Sequence, residues 1–166
     1  IVPLISAMQA HRWSRTFDFG DDSPFEHAAT MTHPQLGHVD VHRVFPGIGR
    51  DPQDAFDLLW AERTNAAIAH VPCWVPSVAA QRLILLLHAA RGGVPATHPD
   101  IRRTWSGAQQ TDRDAVLRLA DSLQAQVALA AATGRLEDYR SHREHDLWQL
   151  LSSGREQPLS ALWFAR

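Results

Sequence analysis

The sequence predicts an α+β fold, with a small antiparallel sheet built on a hairpin at residues 25–45 and a mainly helical bundle after it. Three observations predict it. Residues 25–33 and 38–45 are extended runs joined by Pro34-Gln35-Leu36-Gly37, a four-residue connection suited to a hairpin. Residues 77–91 are apolar on most sides of a helix, open on Pro76-Ser77 and stop at Gly92-Gly93. From residue 98 onward, apolar residues recur at helical spacing. The organisation expected is a partial α/β portion with the hairpin at 1–76 and a helical domain at 77–166.

In chain order, Leu4, Ile5, Met8 and Trp13 follow Pro3 at roughly helical spacing, which suits a first helix. Residues 15–19 alternate like a short strand, and 20–24 form a turn cluster. In the hairpin, pairing His33 with His38 sets Met31 opposite Asp40 and Ala29 opposite His42. One face then carries His27, Met31, His33, His38, Asp40 and His42; the other carries Thr30, Thr32, Val39, Val41 and Phe45. A slip of one residue exchanges the faces of one strand. Asp51 is the expected N-cap and Pro52 the first residue of a helix to about Arg63, with Phe56, Leu59 and Trp60 inward. Residues 66–75 read as a short two-stranded piece. Helices are expected at 98–105, at 111–123 with Val116, Leu117 and Leu119 inward, at 126–132, at 136–151 and at 159–164.

At 166 residues the chain is long enough to bury a core without staples. A net charge of −2 gives no global field toward nucleic acid or anionic lipid. All 16 basic residues are Arg, so Schiff-base, lysine-base and lysine P-loop chemistry are excluded. The single Cys73 excludes an internal disulfide and a multi-thiolate zinc site, and points to a reducing, cytoplasmic location. No apolar run is long enough to span a bilayer, and the first residues lack the charged-then-apolar pattern of a signal peptide, so none is expected in them.

The most suggestive local pattern is His38-x-Asp40-x-His42. Period-two spacing on a strand points all three side chains the same way, and two imidazoles with a carboxylate can ligate a divalent metal. The bland alternative is a polar, half-exposed sheet face. His88 reads as a hydrogen-bonded core histidine, Cys73 as a packed residue, and His142 with His145 as one face of a charged surface helix. No Gly-x-Ser-x-Gly elbow, Walker loop or dinucleotide fingerprint is present.

The segments HVDVHRVFPGI, FDLLWAER and CWVPSVAAQRLILLLHAARGG follow one another in an order that resembles a bacterial nucleotidyltransferase family related to the polymerase-β-like superfamily. The resemblance spans about residues 4–133. It implies that Asp40 is the third catalytic carboxylate, that Asp40 and His38 lie at a Mg²⁺ site, and that His42 and Arg43 lie beside an NTP substrate. It implies transfer of a nucleotidyl group to an acceptor hydroxyl. Clustered carboxylates bind hard cations, which neutralise charge on the transferring group. The family's Asp-x-Asp is missing upstream of Asp40, so either the chain starts after that motif or it is a member without catalysis; the first is the expectation, and the chain is not expected to be a competent enzyme alone. Two other readings stand beside it. One is a non-catalytic interaction or scaffold domain, with Trp148, Trp163 and Phe164 leaving self-association or a protein partner open. The other is a metal-dependent hydrolase built on His38, Asp40 and His42.

Overall fold

In the computed structural model, which describes residues 1–20 and 27–154, seven helices and five strands give the predicted α+β class. The chain packs as two compact units, Ile1–Pro46 and Gly47–Arg166. The sequence reading had drawn its division after residue 76.

The first unit opens with helix α1 (Val2–Ala10), which has Pro in its first turn. Strands β1 (Ser14–Phe17), β2 (Ala28–His33) and β3 (Gly37–His42) follow, antiparallel in the order β1-β2-β3. The expected start of the hairpin at 25 and most of the turn cluster at 20–24 lie outside the described residues. The register differs from the expected one by a single residue: His33 pairs with Gly37, Thr32 with His38, Thr30 with Asp40 and Ala28 with His42. The cause is at the turn. Only three residues separate the pair, and Gly37 takes φ +89°, a value an L side chain rarely adopts. The His33 ring also closes the turn, its Nδ1 accepting from the backbone N–H of Gln35 (3.1 Å) and Leu36 (3.2 Å).

That slip exchanges the faces of one strand. Ala29, Met31 and His33 are buried on one side of β2, and Val41 joins them from β3. Ile5 of α1, with Met31 and Val41, makes the small core of this unit, flanked by Met8, Trp13 and Phe19. The opposite side carries Thr30 and Thr32 together with His38 and Asp40. Met31 and His33 therefore do not share a face with Asp40, as had been expected.

The second unit begins with a loop that leads into α2 (Pro52–Ala61). Asp51 caps it as expected, accepting from the N–H of Gln53 at 2.8 Å. Its buried residue is Ala55, with Leu58 and Leu59 partly buried, whereas Phe56 and Trp60 are 54% and 43% exposed. The expected inward stripe was thus turned by one position. Strands β4 (Thr64–Ile68) and β5 (Val71–Val75) form a separate two-stranded hairpin.

Helix α3 (Val78–Arg91) is the centre of the helical core. Ser77 caps it, accepting from the N–H of Ala80 at 3.3 Å. Leu83, Leu86 and Leu87 are almost wholly buried, and each side chain contributes roughly 1.5–3 kcal/mol by leaving water. Around it pack α4 (Pro99–Ile101, continued as one wide turn over Arg102–Ser106), α5 (Gln110–Ser122), α6 (Gln126–Ala132) and α7 (His145–Ser152). Leu117 was expected inward on α5 but is 41% exposed, while Val116 and Leu119 are buried. The helix expected over 136–151 is two pieces: a 3₁₀ turn at Leu136–Tyr139, then α7. Local Arg140–Glu137 and Arg135–Asp138 ion pairs hold the first piece. The helix expected at 159–164, with Trp163 and Phe164, lies outside the described residues. Among the described residues no helix is long and apolar enough to cross a membrane.

Candidate functional site

The site singled out by the sequence sits on β3, at the edge of the three-stranded sheet. Thr30 and Thr32 on β2 lie directly opposite Asp40 and His38. Thr30 Oγ1–H donates to Asp40 Oδ1 at 2.7 Å, the one side-chain hydrogen bond of this carboxylate among the described residues. Asp40 is exposed and has no ion-pair partner among the described residues. Its one oriented contact is therefore with a neutral donor.

His38 is tied into a longer chain of hydroxyls. Its Nδ1 lies 2.9 Å from Thr32 Oγ1, which in turn lies 2.9 Å from Thr16 Oγ1 on β1. Thr16 is the extra residue of a bulge between Arg15 and Phe17, and its hydroxyl is also 3.2 Å from the Thr30 carbonyl. Each hydroxyl has one proton to give, which leaves two consistent arrangements. If Thr16 donates to the Thr30 carbonyl, Thr32 donates to Thr16 and accepts from His38 Nδ1–H. His38 Nε2 then presents a lone pair. If Thr16 donates to Thr32, the order reverses and Nε2 carries the proton.

His42 differs from the other two members of the pattern. It is half-buried and stacks on Phe45 with ring centres 5.2 Å apart and planes at 16°, with His27 at 5.4 Å on a tilt. Arg43 is exposed and lies over the Phe19 ring, 4.9 Å from its centre. Nearby Asp18 is held below the usual carboxylate range, first by the Arg15 guanidinium that donates to it, then by the N–H of Phe19. Strand alternation thus puts His38, Asp40 and His42 on one face, yet their surroundings differ: hydroxyls for the first two, rings for the third. Among the described residues no group of three or more His, Cys, Asp or Glu side chains is arranged to hold a metal ion. Asp40 fits one carboxylate leg for a hard cation such as Mg²⁺, whereas imidazole suits that ion poorly.

Thr30 and Thr32, expected on the face opposite the site, lie on the site's own face. The signal was available, since Thr30 and Thr32 alternate along β2, but it could be used only with the correct register. Several other candidates take different places from those expected. His88 is not in the core: it is exposed, with Nδ1 3.2 Å from Arg91 Nη2. Its pKa is lowered by partial burial and then by the Arg91 charge. His145 is buried rather than on a charged surface, Nδ1 3.0 Å from Asp146, and His142 lies before the helix. Trp148, which the interaction-domain reading needed at the surface, is 1% exposed inside the helical core. Cys73 is half-buried, its Sγ near the Val71 carbonyl at 3.4 Å.

In the second unit, Leu58, Ala79, Leu119, Glu62 and Arg118 line an open groove of about 270 Å³ that no sequence pattern marked. No protein-family model, curated protein or solved structure matches this chain.

Proposed function

We propose that the chain is part of a nucleotidyltransferase-like protein, in which Asp40 supplies one carboxylate of a divalent-cation site that handles a nucleoside triphosphate. The nucleotidyl group passes to an acceptor hydroxyl. The observation that carries this reading is the state of Asp40: exposed on an edge strand, oriented by Thr30 Oγ1–H at 2.7 Å, and free of any ion pair among the described residues.

The roles of the residues follow from their chemistry. Thr30 holds one oxygen of Asp40, so the other is presented with little loss of rotamer freedom on binding. A bound Mg²⁺ would neutralise charge on the transferring phosphoryl group. His38, positioned by Thr32, presents Nε2 beside Asp40 as a proton donor or acceptor, and the exposed Arg43 offers a guanidinium to phosphate oxygens. Among the described residues no strand pairs with the outer edge of β3, and in this reading a further strand there brings the remaining carboxylates. The chain by itself thus holds one leg of the site.

Binding of Mn²⁺–ATP, followed by calorimetric titration, tests the reading. Asp40→Asn keeps the shape and the Thr30 contact but removes the charge, and is expected to weaken binding at least tenfold, about 1.4 kcal/mol. Equal binding by both proteins sinks the assignment of Asp40.

A second reading, a non-catalytic interaction domain, is favoured by one observation. Phe56, Trp60, Ile68, Val71, Trp74 and Val78 are all between 43% and 60% exposed over a short stretch of α2, β4, β5 and the start of α3.

A further inference from the structure

We propose that β4 is a self-pairing edge, and that two copies of this chain associate by antiparallel addition of β4 to β4 of a second copy. The inference is independent of the nucleotide reading and rests on the β4–β5 hairpin alone.

Its first basis is the ladder register. The hairpin closes with a two-residue turn at Ala69-His70 between the paired residues Ile68 and Val71. Such a turn makes the closing pair a hydrogen-bonded one, and the bonding then alternates along the strands. Ile68–Val71, Ala66–Cys73 and Thr64–Val75 therefore exchange hydrogen bonds within the hairpin. Asn65 and Ala67 on β4, with Trp74 and Pro72 on β5, aim their backbone N–H and C=O groups outward. On β5 one of those donors is missing, because Pro72 has no N–H. That edge is guarded. On β4 both outward residues carry a full donor and acceptor, and among the described residues no strand pairs with that edge.

The second basis is symmetry. Two outward-facing residues spaced two apart are self-complementary about the residue between them. Antiparallel pairing on Ala66 sets Asn65 opposite Ala67 of the second copy and Ala67 opposite its Asn65, making four backbone hydrogen bonds about a two-fold axis. The centre of the pairing is Ala66 against Ala66, small enough for close approach.

Charge and exposure complete the case. No Asp, Glu or Arg occurs from Thr64 to Val75, so the edge lacks the charged guards that usually keep strands apart. Arg63, which directly precedes β4, comes to lie opposite Ala69 of the second copy. The two Arg63 positions are then about 20 Å apart along the strands, at 3.4 Å per residue, and do not repel. The apolar side chains left exposed on this hairpin, Ile68 (57%), Val71 (59%) and Trp74 (57%), are of the same kind on both copies. An isolated two-stranded hairpin is marginal in water, and a four-stranded sheet across the axis removes that weakness.

The test is sedimentation equilibrium of the chain against two variants. Wild-type protein is expected to dimerise with a Kd in the micromolar range, on the order of 10 µM. Asn65→Pro mirrors the guard at Pro72: it removes one outward N–H without touching a bond inside the hairpin, and is expected to raise the Kd about tenfold or more. Since Pro could also disturb β4, a second variant reads the geometry directly. Ala66→Cys in a Cys73→Ala background, oxidised at micromolar protein, is expected to give a covalent dimer through position 66. A wild-type chain that stays monomeric well above that Kd overturns the proposal. So does a dimer that Asn65→Pro leaves intact and Ala66→Cys fails to cross-link, which would place the interface elsewhere.

Discussion

Gly47→Ala is expected to be among the most damaging single-methyl changes in the helical unit. Gly47 has φ +101°, and a Cβ built there lies 2.7 Å from Ala128 Cβ and 3.0 Å from Cζ2 of Trp148, itself 1% exposed. Two costs add. An L residue at such a φ costs about 1–2 kcal/mol, and forcing a methyl into a filled core costs about 1–3 kcal/mol more. The sum, roughly 2–5 kcal/mol, is a large part of the 5–15 kcal/mol typical of a domain. Two controls in the same unit separate the terms. Gly134 has φ +73° but meets only Ala96 Cβ at 4.0 Å, so Gly134→Ala reads the backbone cost alone, about 1–2 kcal/mol. Gly92 has no positive φ and only ordinary contacts from 3.5 Å, so Gly92→Ala is expected to change stability by about 0.5 kcal/mol or less. Urea unfolding followed by tryptophan fluorescence gives all three differences. Equal destabilisation by Gly47→Ala and Gly134→Ala would refute the packing of Gly47 against α6 and α7.

Three further outcomes are expected. Arg63 lies between two indoles, 4.3 Å from the Trp60 ring centre and 4.7 Å from that of Trp74, and donates to the Trp60 carbonyl at 2.8 Å. Arg63→Ala should therefore cost about 1–2 kcal/mol, speed amide exchange in β5, and not be rescued fully by Lys, whose ammonium cannot stack as a plane. Ala69 and His70 take φ +50° and +67°, the turn geometry that Asn-Gly adopts without strain. Ala69→Asn with His70→Gly should raise stability by roughly 1 kcal/mol in denaturant unfolding. His88 has a folded pKa below its unfolded one, so between the two values the unfolded chain binds more protons. Its contribution is complete above the unfolded pKa and is lost as pH falls through the folded one. His88→Gln should flatten the stability–pH curve in that window, read by thermal melts across mildly acidic pH.

Local signals made most of the fold legible. Asp51-Pro52 and Ser77 fixed helix starts because their oxygens meet orphan N–H groups within three residues, which needs no tertiary information. Gly92-Gly93 marked the end of α3 for a similar reason. What failed was anything set by a distant partner. The hairpin register depended on a positive φ at Gly37 and on the His33 ring capping its own turn, and one residue of error moved Met31 from the site face to the core. Phe56 and Trp60 were read as inward because they are large and helically spaced. They stack on each other instead, 5.7 Å apart, and Arg63 extends the stack to Trp74. A guanidinium in that position converts apolar surface into an anchor for the hairpin, an outcome a hydrophobic pattern cannot express. The site was legible as a pattern, His38-x-Asp40-x-His42. Its division into a hydroxyl-bound pair and a ring-stacked third member was not, since Thr16, Thr30 and Phe45 meet it only through pairing and packing.

The most direct test of the proposed function is paramagnetic relaxation by Mn²⁺ with ATP, read residue by residue in the NMR spectrum of the chain. The proposal predicts selective broadening of Asp40, Thr30 and His38, reversed by excess Mg²⁺ and absent in Asp40→Asn. Broadening centred on another carboxylate, or unchanged in Asp40→Asn, would contradict it.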